Sequence, residues 1–283
     1  MRLRLLVCSV VMGVSAIASA EPKVTVSPPW VRGGDPVLIT VTGTNVLPKG
    51  SASGEPLRFF ASKTGFQAVM AIPLDAKTAD KLAIDIDHVK LPVFVRVTAL
   101  KGAETKVTVD EDLADPSKAE GKRIDRDNYS IIDSATKSHT EPQFTKPFYR
   151  PQGQVTSPFG EWRIFNDGYR SQHLGVDLYA REGAKVLAVN AGTVTLVRET
   201  LLAGNVVVIA HGAGIATAYF HLDKATVAVG DVVKQGEQVG LAGQTGRTTG
   251  PHLHISVRVP GGFVDPLAFF KLKLAPQAKA KAP

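Results

Sequence analysis

Gly250-Pro251-His252-Leu253-His254-Ile255-Ser256-Val257-Arg258-Val259 decides the fold of the carboxy-terminal part of this chain. From His252 onward, polar and apolar residues alternate one for one, the period of a strand with one buried face. Leu253, Ile255, Val257 and Val259 are expected to face a core, and His252, His254, Ser256 and Arg258 the opposite side. Both imidazoles then point the same way from neighbouring pleats. Such a pair can bind one ion together, or one can bind while the other faces its open coordination position, and the spacing alone does not choose.

Outward from this strand, the stretch from about Gln152 to Phe270 reads as β throughout. Val186–Val189, Gly192–Val197, Asn205–Ala210, Ile215–Phe220, Asp231–Val233 and Gln238–Ala242 are strand candidates, parted by turns such as Gly183-Ala184, Gly212-Ala213-Gly214 and Gln235-Gly236-Glu237. No long helical period interrupts them. The pattern predicts an antiparallel sheet largely curled on itself, with loops carrying any functional site.

Two further places supply metal-ligand chemistry: His173-Leu174-Gly175-Val176-Asp177, and His221 within Ala218-Tyr219-Phe220-His221-Leu222. Imidazole nitrogen and carboxylate oxygen are the usual ligands of a catalytic zinc, which keeps three protein ligands and one open position. Four histidines and one aspartate exceed that need, and the surplus suits proton transfer beside the metal. In a fully extended chain the Cα atoms of His173 and Asp177 would lie about 13 Å apart, too far to share an ion. His173 is therefore expected to reach in from a bend, with Gly175 the natural hinge, Asp177 opening a strand, and Leu174, Val176 and Leu178 facing the core. The chain has no His-Glu-x-x-His motif with its glutamate base, so a histidine base is the simplest option.

The beginning of the chain has a different character. Met-Arg-Leu-Arg, the apolar run Leu5–Ile17 and Ala18-Ser19-Ala20 have the three regions of a cleavable secretory signal, with a mature start expected at Glu21. The apolar run is shorter than the roughly 20 residues a membrane span needs. Cys8, the only cysteine, lies within the signal. The exported chain therefore has no disulfide, and a metal must be held through nitrogen and oxygen. The formal charge of +7 is concentrated in the signal and the tail, with no dense basic patch of the kind nucleic-acid binding requires.

Short β-rich runs follow the signal: Val24–Ser27, Val37–Thr44, Leu57–Ser62, Phe66–Leu74, Leu82–Ile86, Val93–Leu100 and Thr105–Val109. This density predicts an immunoglobulin-like β-sandwich over residues 21–110. Residues 111–150, crowded with charge and closed by Pro142 and Pro147, read as an extended linker, or as an inhibitory segment lying across the site. The tail, residues 271–283, is rich in Lys, Ala and Pro and reads as disordered. His88, His139 and His211 read as turn or solvated residues.

The order His-x-x-x-Asp, Tyr-x-His-Leu and Gly-x-Thr-Gly-x-x-Thr-Gly-Pro-His-Leu-His, running from His173 to His254, resembles the lysostaphin and LytM type of zinc endopeptidases. The likeness covers roughly Val155–Asp265, and includes Ser157-Pro158-Phe159-Gly160, Gly192-Thr193-Val194 and the run Val229–Gly236. It implies the family's twisted antiparallel sheet with a narrow groove, a duplicated hybrid motif fold. It also implies a single Zn²⁺ held by His173, Asp177 and His254, with His221 and His252 beside the open position as the catalytic pair. The implied substrate is peptidoglycan, cut at a peptide bond in the periplasm or after secretion. Where family members often carry an acidic residue after the last histidine, this chain has Ser256 and Arg258. Arg163, Tyr169, Arg170 and Gln244 are candidate substrate contacts. The amino-terminal sandwich would serve as spacer, docking module or regulator. A noncatalytic regulator of another wall hydrolase is the alternative, and the complete ligand set speaks against it.

Overall fold

The computed structural model describes residues 21–76, 82–86, 89–93, 95–109, 118–138, 140–166 and 168–276. The expected signal with Cys8, His88, the acidic residues 110–117, His139 and the tail from residue 277 lie outside them. The described chain is all-β apart from the helix Lys118–Thr136 and the short helix Pro266–Phe269.

In the amino-terminal part, Lys23–Ser27, Pro36–Thr42, Gly65–Ala71 and Phe60–Ser62 hydrogen-bond in that order into an antiparallel sheet. Trp30–Arg32 pairs in parallel with Arg96–Thr98, and Leu82–Ile86 forms a hairpin with Val89–Val93. The Pro36–Thr42 strand is buried on both faces, and alternation sorts its side chains between two cores. Val37, Ile39 and Val41 join Val31, Phe59, Met70 and Val95 in one cluster. Leu38, with Val69 and Ala71, points the other way into the core of the carboxy-terminal sheet. An isolated immunoglobulin-like sandwich would leave that second face to solvent. Here main-chain bonds reinforce the junction, Ala71 N–H to the Pro260 carbonyl at 2.9 Å and Asp265 N–H to the Gly34 carbonyl at 2.8 Å.

The carboxy-terminal sheet runs Val155–Ser157, Val176–Tyr179, His252–Val259, Ile215–Ala225, Gly204–Gly212, Gly192–Thr200, Val232–Val233, with antiparallel neighbours along the path. Lys185–Leu187 and Gln238–Ala242 pair with each other, and the latter also joins Ile215–Ala225. Leu253, Ile255, Val257 and Val259 are buried as alternation requires, among Val176, Leu178, Tyr219 and Leu222.

Two expectations change. The run at Thr105–Val109 does not close the amino-terminal unit. Glu104–Val107 instead lies parallel to Trp162–Phe165, which forms a hairpin with Tyr169–Gln172. The stretch expected as an extended linker contains the helix Lys118–Thr136, packed across the carboxy-terminal sheet. Ile131 and Ala135 enter a cluster with Val206, Val208, Ala216, Ala218 and Phe220. Asp127 occupies the same inward face, accepting from Leu201 N–H at 3.1 Å and pairing with Arg198 at 3.3 Å. Buried Asp127 and Ser134 stand where an apolar period would place hydrophobic side chains, which hides the helix from pattern reading.

Candidate functional site

Strand register assembles the site. Asp177 is paired across the sheet with His254, and Phe220, the residue before His221, is paired with His254 on its other side. His173 lies in the bend between the Tyr169–Gln172 and Val176–Tyr179 strands. Val176 and Leu178 are buried as expected, whereas Leu174 is half-buried and lines the groove beside His173. Gly175 serves the site by closeness rather than by an unusual torsion: a Cβ there would lie 2.4 Å from His254 Nε2.

The hydrogen-bond partners fix the tautomers of the three candidate ligands. A carbonyl oxygen only accepts, so His173 Nδ1, 2.8 Å from the Pro158 carbonyl, carries the hydrogen. Its Nε2 faces Asp177 Oδ1 at 3.1 Å and His254 Nδ1 at 2.9 Å. The Ser256 hydroxyl donates to the Leu174 carbonyl at 2.8 Å and therefore accepts from His254 Nε2 at 3.0 Å. That leaves His254 Nδ1 bare, 2.8 Å from Asp177 Oδ1. Three lone pairs thus converge on one point, and a cation between them removes their repulsion. These residues form the candidate metal centre of the described chain, and the donor set fits Zn²⁺. Burial pushes the His254 imidazole down to about 4, against the pull of Asp177, which keeps it neutral at pH 7 as a ligand must be.

His221 and His252 flank this centre, their ring centroids 5.0 Å apart. His221 has φ +55° in the Ile215–Ala225 strand, where the register with the neighbouring strands slips. A bulge of this kind re-aims a side chain, and the strained torsion persists because the surroundings hold it. His221 Nδ1 donates to the Thr245 carbonyl at 2.8 Å and His252 Nδ1 to the Gly250 carbonyl at 2.8 Å. Each ring therefore presents Nε2 to the site. His252 Nε2 is buried without a protein hydrogen bond, 3.6 Å from Asp177 Oδ1. Burial, then the neighbouring His254 and His252, push the His221 imidazole down to about 3.

Two hollows meet at the centre. One, of about 340 Å³, is lined by Thr156, Asp177, Tyr179 and His252, and the other, of about 360 Å³, by Tyr169, His173, His221 and His254. Ile124, Asn128 and Ile132 of the helix form one wall of the second. The candidate substrate contacts have diverse surroundings. Tyr169 lines the groove. Arg163 also lines it, but its guanidinium is held by Asp177 at 2.5 Å. Arg170 stacks over Trp162 at 5.1 Å and pairs with Glu104, and Gln244 is exposed ahead of Thr245. Sequence reading passed over Arg247, which lines both hollows and stacks over Phe165 at 3.8 Å and Tyr169 at 5.5 Å. Its signal was available, a lone cation in the glycine-rich run leading to His252.

Residues 171–266 match the model of peptidase family M23. Over 120 residues, 42% of this chain, the sequence is 42% identical to the peptidoglycan DD-endopeptidase ShyB of Vibrio cholerae, of which it covers 28%. It is 37% identical over 123 residues to the DD-carboxypeptidase/endopeptidase Mpg of Neisseria meningitidis, covering 41% of this chain and 26% of that one. The chain thus spans roughly a quarter of the length of these curated relatives. A crystal structure of a putative peptidase M23 from Pseudomonas aeruginosa superposes with a TM-score of 0.62 at 26% identity, over 79% of this chain and 88% of that one. The family match takes in the strands that build the histidine and aspartate centre, and the structural likeness extends over most of the chain, so the carboxy-terminal part is a peptidase M23 domain.

Proposed function

We propose that this protein is a zinc-dependent endopeptidase that hydrolyses peptide bonds in the stem peptides or cross-links of peptidoglycan. The observation that carries this reading is the convergence of His173 Nε2, His254 Nδ1 and Asp177 Oδ1, each with its hydrogens or second oxygen tied elsewhere. Zinc held by these three residues supplies a positive charge that acidifies a water molecule and polarises a carbonyl. The chain itself supplies the proton work. His221 and His252 present Nε2 to the centre from rings 5.0 Å apart, and one of them takes a proton from the attacking water and, as the imidazolium so formed, delivers it to the departing amine. The hydrogens that Nδ1 of each ring gives to the Thr245 and Gly250 carbonyls leave Nε2 facing the centre. Burial of His221 keeps it uncharged at pH 7.

The name of the Vibrio relative supports peptidoglycan as the substrate, and a groove made of two joined hollows suits an extended peptide passing over the centre. A peptidoglycan substrate supports a location in the periplasm or outside the cell, in keeping with the secretory pattern of residues 1–20. No helix among the described residues is long and apolar enough to cross a membrane. Within the chain we assign residues 151–270 as the catalytic unit and the helix Lys118–Thr136 as a wall of its groove.

The test is digestion of purified sacculi by the zinc-loaded protein, with the released muropeptides analysed by mass spectrometry. New amino and carboxyl termini at one peptide bond, lost on chelation and regained with zinc, are the expected result. Zinc-bound protein that leaves every cross-linked muropeptide intact removes the reading and favours a noncatalytic role.

A further inference from the structure

Behind the candidate ligands, a line of polar side chains leads away from the centre, buried at Asp177 and Glu161 and half-buried at Arg163 and Ser157. Asp177 turns Oδ1 toward His173 and His254, while Oδ2 accepts from Arg163 Nη2 at 2.5 Å. The same nitrogen donates to Ser157 Oγ at 2.8 Å, and Arg163 Nε lies 3.7 Å from Glu161 Oε2. Glu161 is itself buried. It accepts from the Ser157 hydroxyl and, at 2.5 Å, from the Thr105 hydroxyl of the Glu104–Val107 strand.

We propose that Arg163 is a positioning residue that fixes the orientation of the metal-ligand carboxylate, giving Oδ1 to the metal and keeping Oδ2 for itself. This rests on the assignment of Asp177 as a zinc ligand. A buried carboxylate oxygen facing away from a metal needs a donor of its own, and groups that hold ligands in this way set both geometry and affinity. Charge explains why Glu161 belongs to the arrangement. Arg163 alone would cancel the charge of Asp177 and leave nothing to attract a cation, whereas Glu161 restores a net negative charge with the imidazoles neutral. Shape explains why the residue is arginine. Only a planar fork reaches the Asp177 carboxylate, the Ser157 hydroxyl and the Glu161 carboxylate from one side chain, and a lysine ammonium is a single point of charge on a flexible stem.

The alternative role for Arg163 is contact with substrate, and the two roles separate in one experiment on the full chain. Zinc dissociation constants are measured by competition with a chelator, beside kcat and KM on a cross-linked muropeptide and the melting temperature of the zinc-free protein. Arg163→Ala is expected to weaken zinc binding about 10- to 100-fold, with kcat lowered and KM near that of the wild type when zinc is saturating. Arg163→Lys is expected to recover part of the affinity. Unchanged zinc affinity with a raised KM overturns the proposal in favour of a substrate contact, and unchanged zinc affinity with unchanged kinetics overturns it outright. Where Arg163→Ala fails to fold, Arg163→Lys decides alone, since wild-type zinc affinity in that variant overturns the proposal. Wild-type protein that binds zinc but cuts nothing removes the proposed activity while the zinc readout still decides the role of Arg163.

Discussion

Gly175→Ala is a one-methyl test of how the centre is built. The added Cβ would lie 2.4 Å from His254 Nε2, 2.7 Å from His254 Cε1 and 2.7 Å from the Ile255 carbonyl oxygen. Ordinary non-bonded separations are about 3.5 Å or more, so something must move by about 1 Å. The carbonyl cannot yield easily, because Ile255 is fully buried and paired with both Val176 and Tyr219. The imidazole must move instead. It is held by Ser256 on one side, packed edge-on against Phe220 with centroids 4.8 Å apart, and turned toward Asp177 on the other. Displacing it breaks the Ser256 hydrogen bond and moves the ligand nitrogen. Overpacking of this kind costs about 1–3 kcal/mol. At about 2–4 °C per kcal/mol for a chain of this size, the zinc-free protein should melt several degrees lower. Zinc affinity should fall with it. The assays are thermal unfolding followed by circular dichroism and chelator competition for zinc. A Gly175→Ala protein with the melting temperature and zinc affinity of the wild type would refute this account of the close approach.

Other perturbations probe the centre, the core and the helix separately. His254→Ala should lose zinc in a metal-content measurement, while His252→Ala should keep zinc yet lose about 10²- to 10⁴-fold in muropeptide cleavage; equal metal loss in both would erase the distinction between ligand and proton carrier. His211 is fully buried, donates to the Ala191 carbonyl and meets the Thr217 hydroxyl, and burial pushes it down to about 4. An unfolded histidine titrates near 6.5, so His211 contributes stability that is complete above pH 6.5 and is lost as pH falls toward 4, up to about 3 kcal/mol. Urea midpoints of zinc-free wild type should therefore fall faster between pH 6.5 and 4 than those of His211→Gln, and parallel slopes would contradict the assignment. Gly121, within the helix Lys118–Thr136, has nothing within 4 Å of a built Cβ, so Gly121→Ala should raise stability by up to about 1 kcal/mol in the same urea titration.

What sequence made legible depended on how local the determining interactions are. The His252–Val259 strand announced its faces because alternation is a property of neighbours, and the structure buries Leu253 and Ile255 on the expected side. The position of His221 depends on a bulge with positive φ, which no residue type at that point signals, although its motif did. The helix escaped because Asp127 answers to Arg198 and Leu201, more than 70 residues away in the chain. Its inward face is therefore polar in composition while buried in fact. Arg163 and Arg170 looked like substrate contacts because a cation near a groove carries no mark of its partner. Strand pairing gave one to Asp177 and the other to Glu104.

The parallel pairing of Glu104–Val107 with Trp162–Phe165 bears on how the peptidase domain can be handled. A fragment begun near residue 150 would keep the Trp162–Phe165 and Tyr169–Gln172 hairpin but strip the strand from its outer side, leaving a row of unsatisfied N–H and C=O groups next to the groove. Bare sheet edges recruit other strands. Such a fragment is expected to associate with itself more readily than the intact chain, through the segment that carries Arg163.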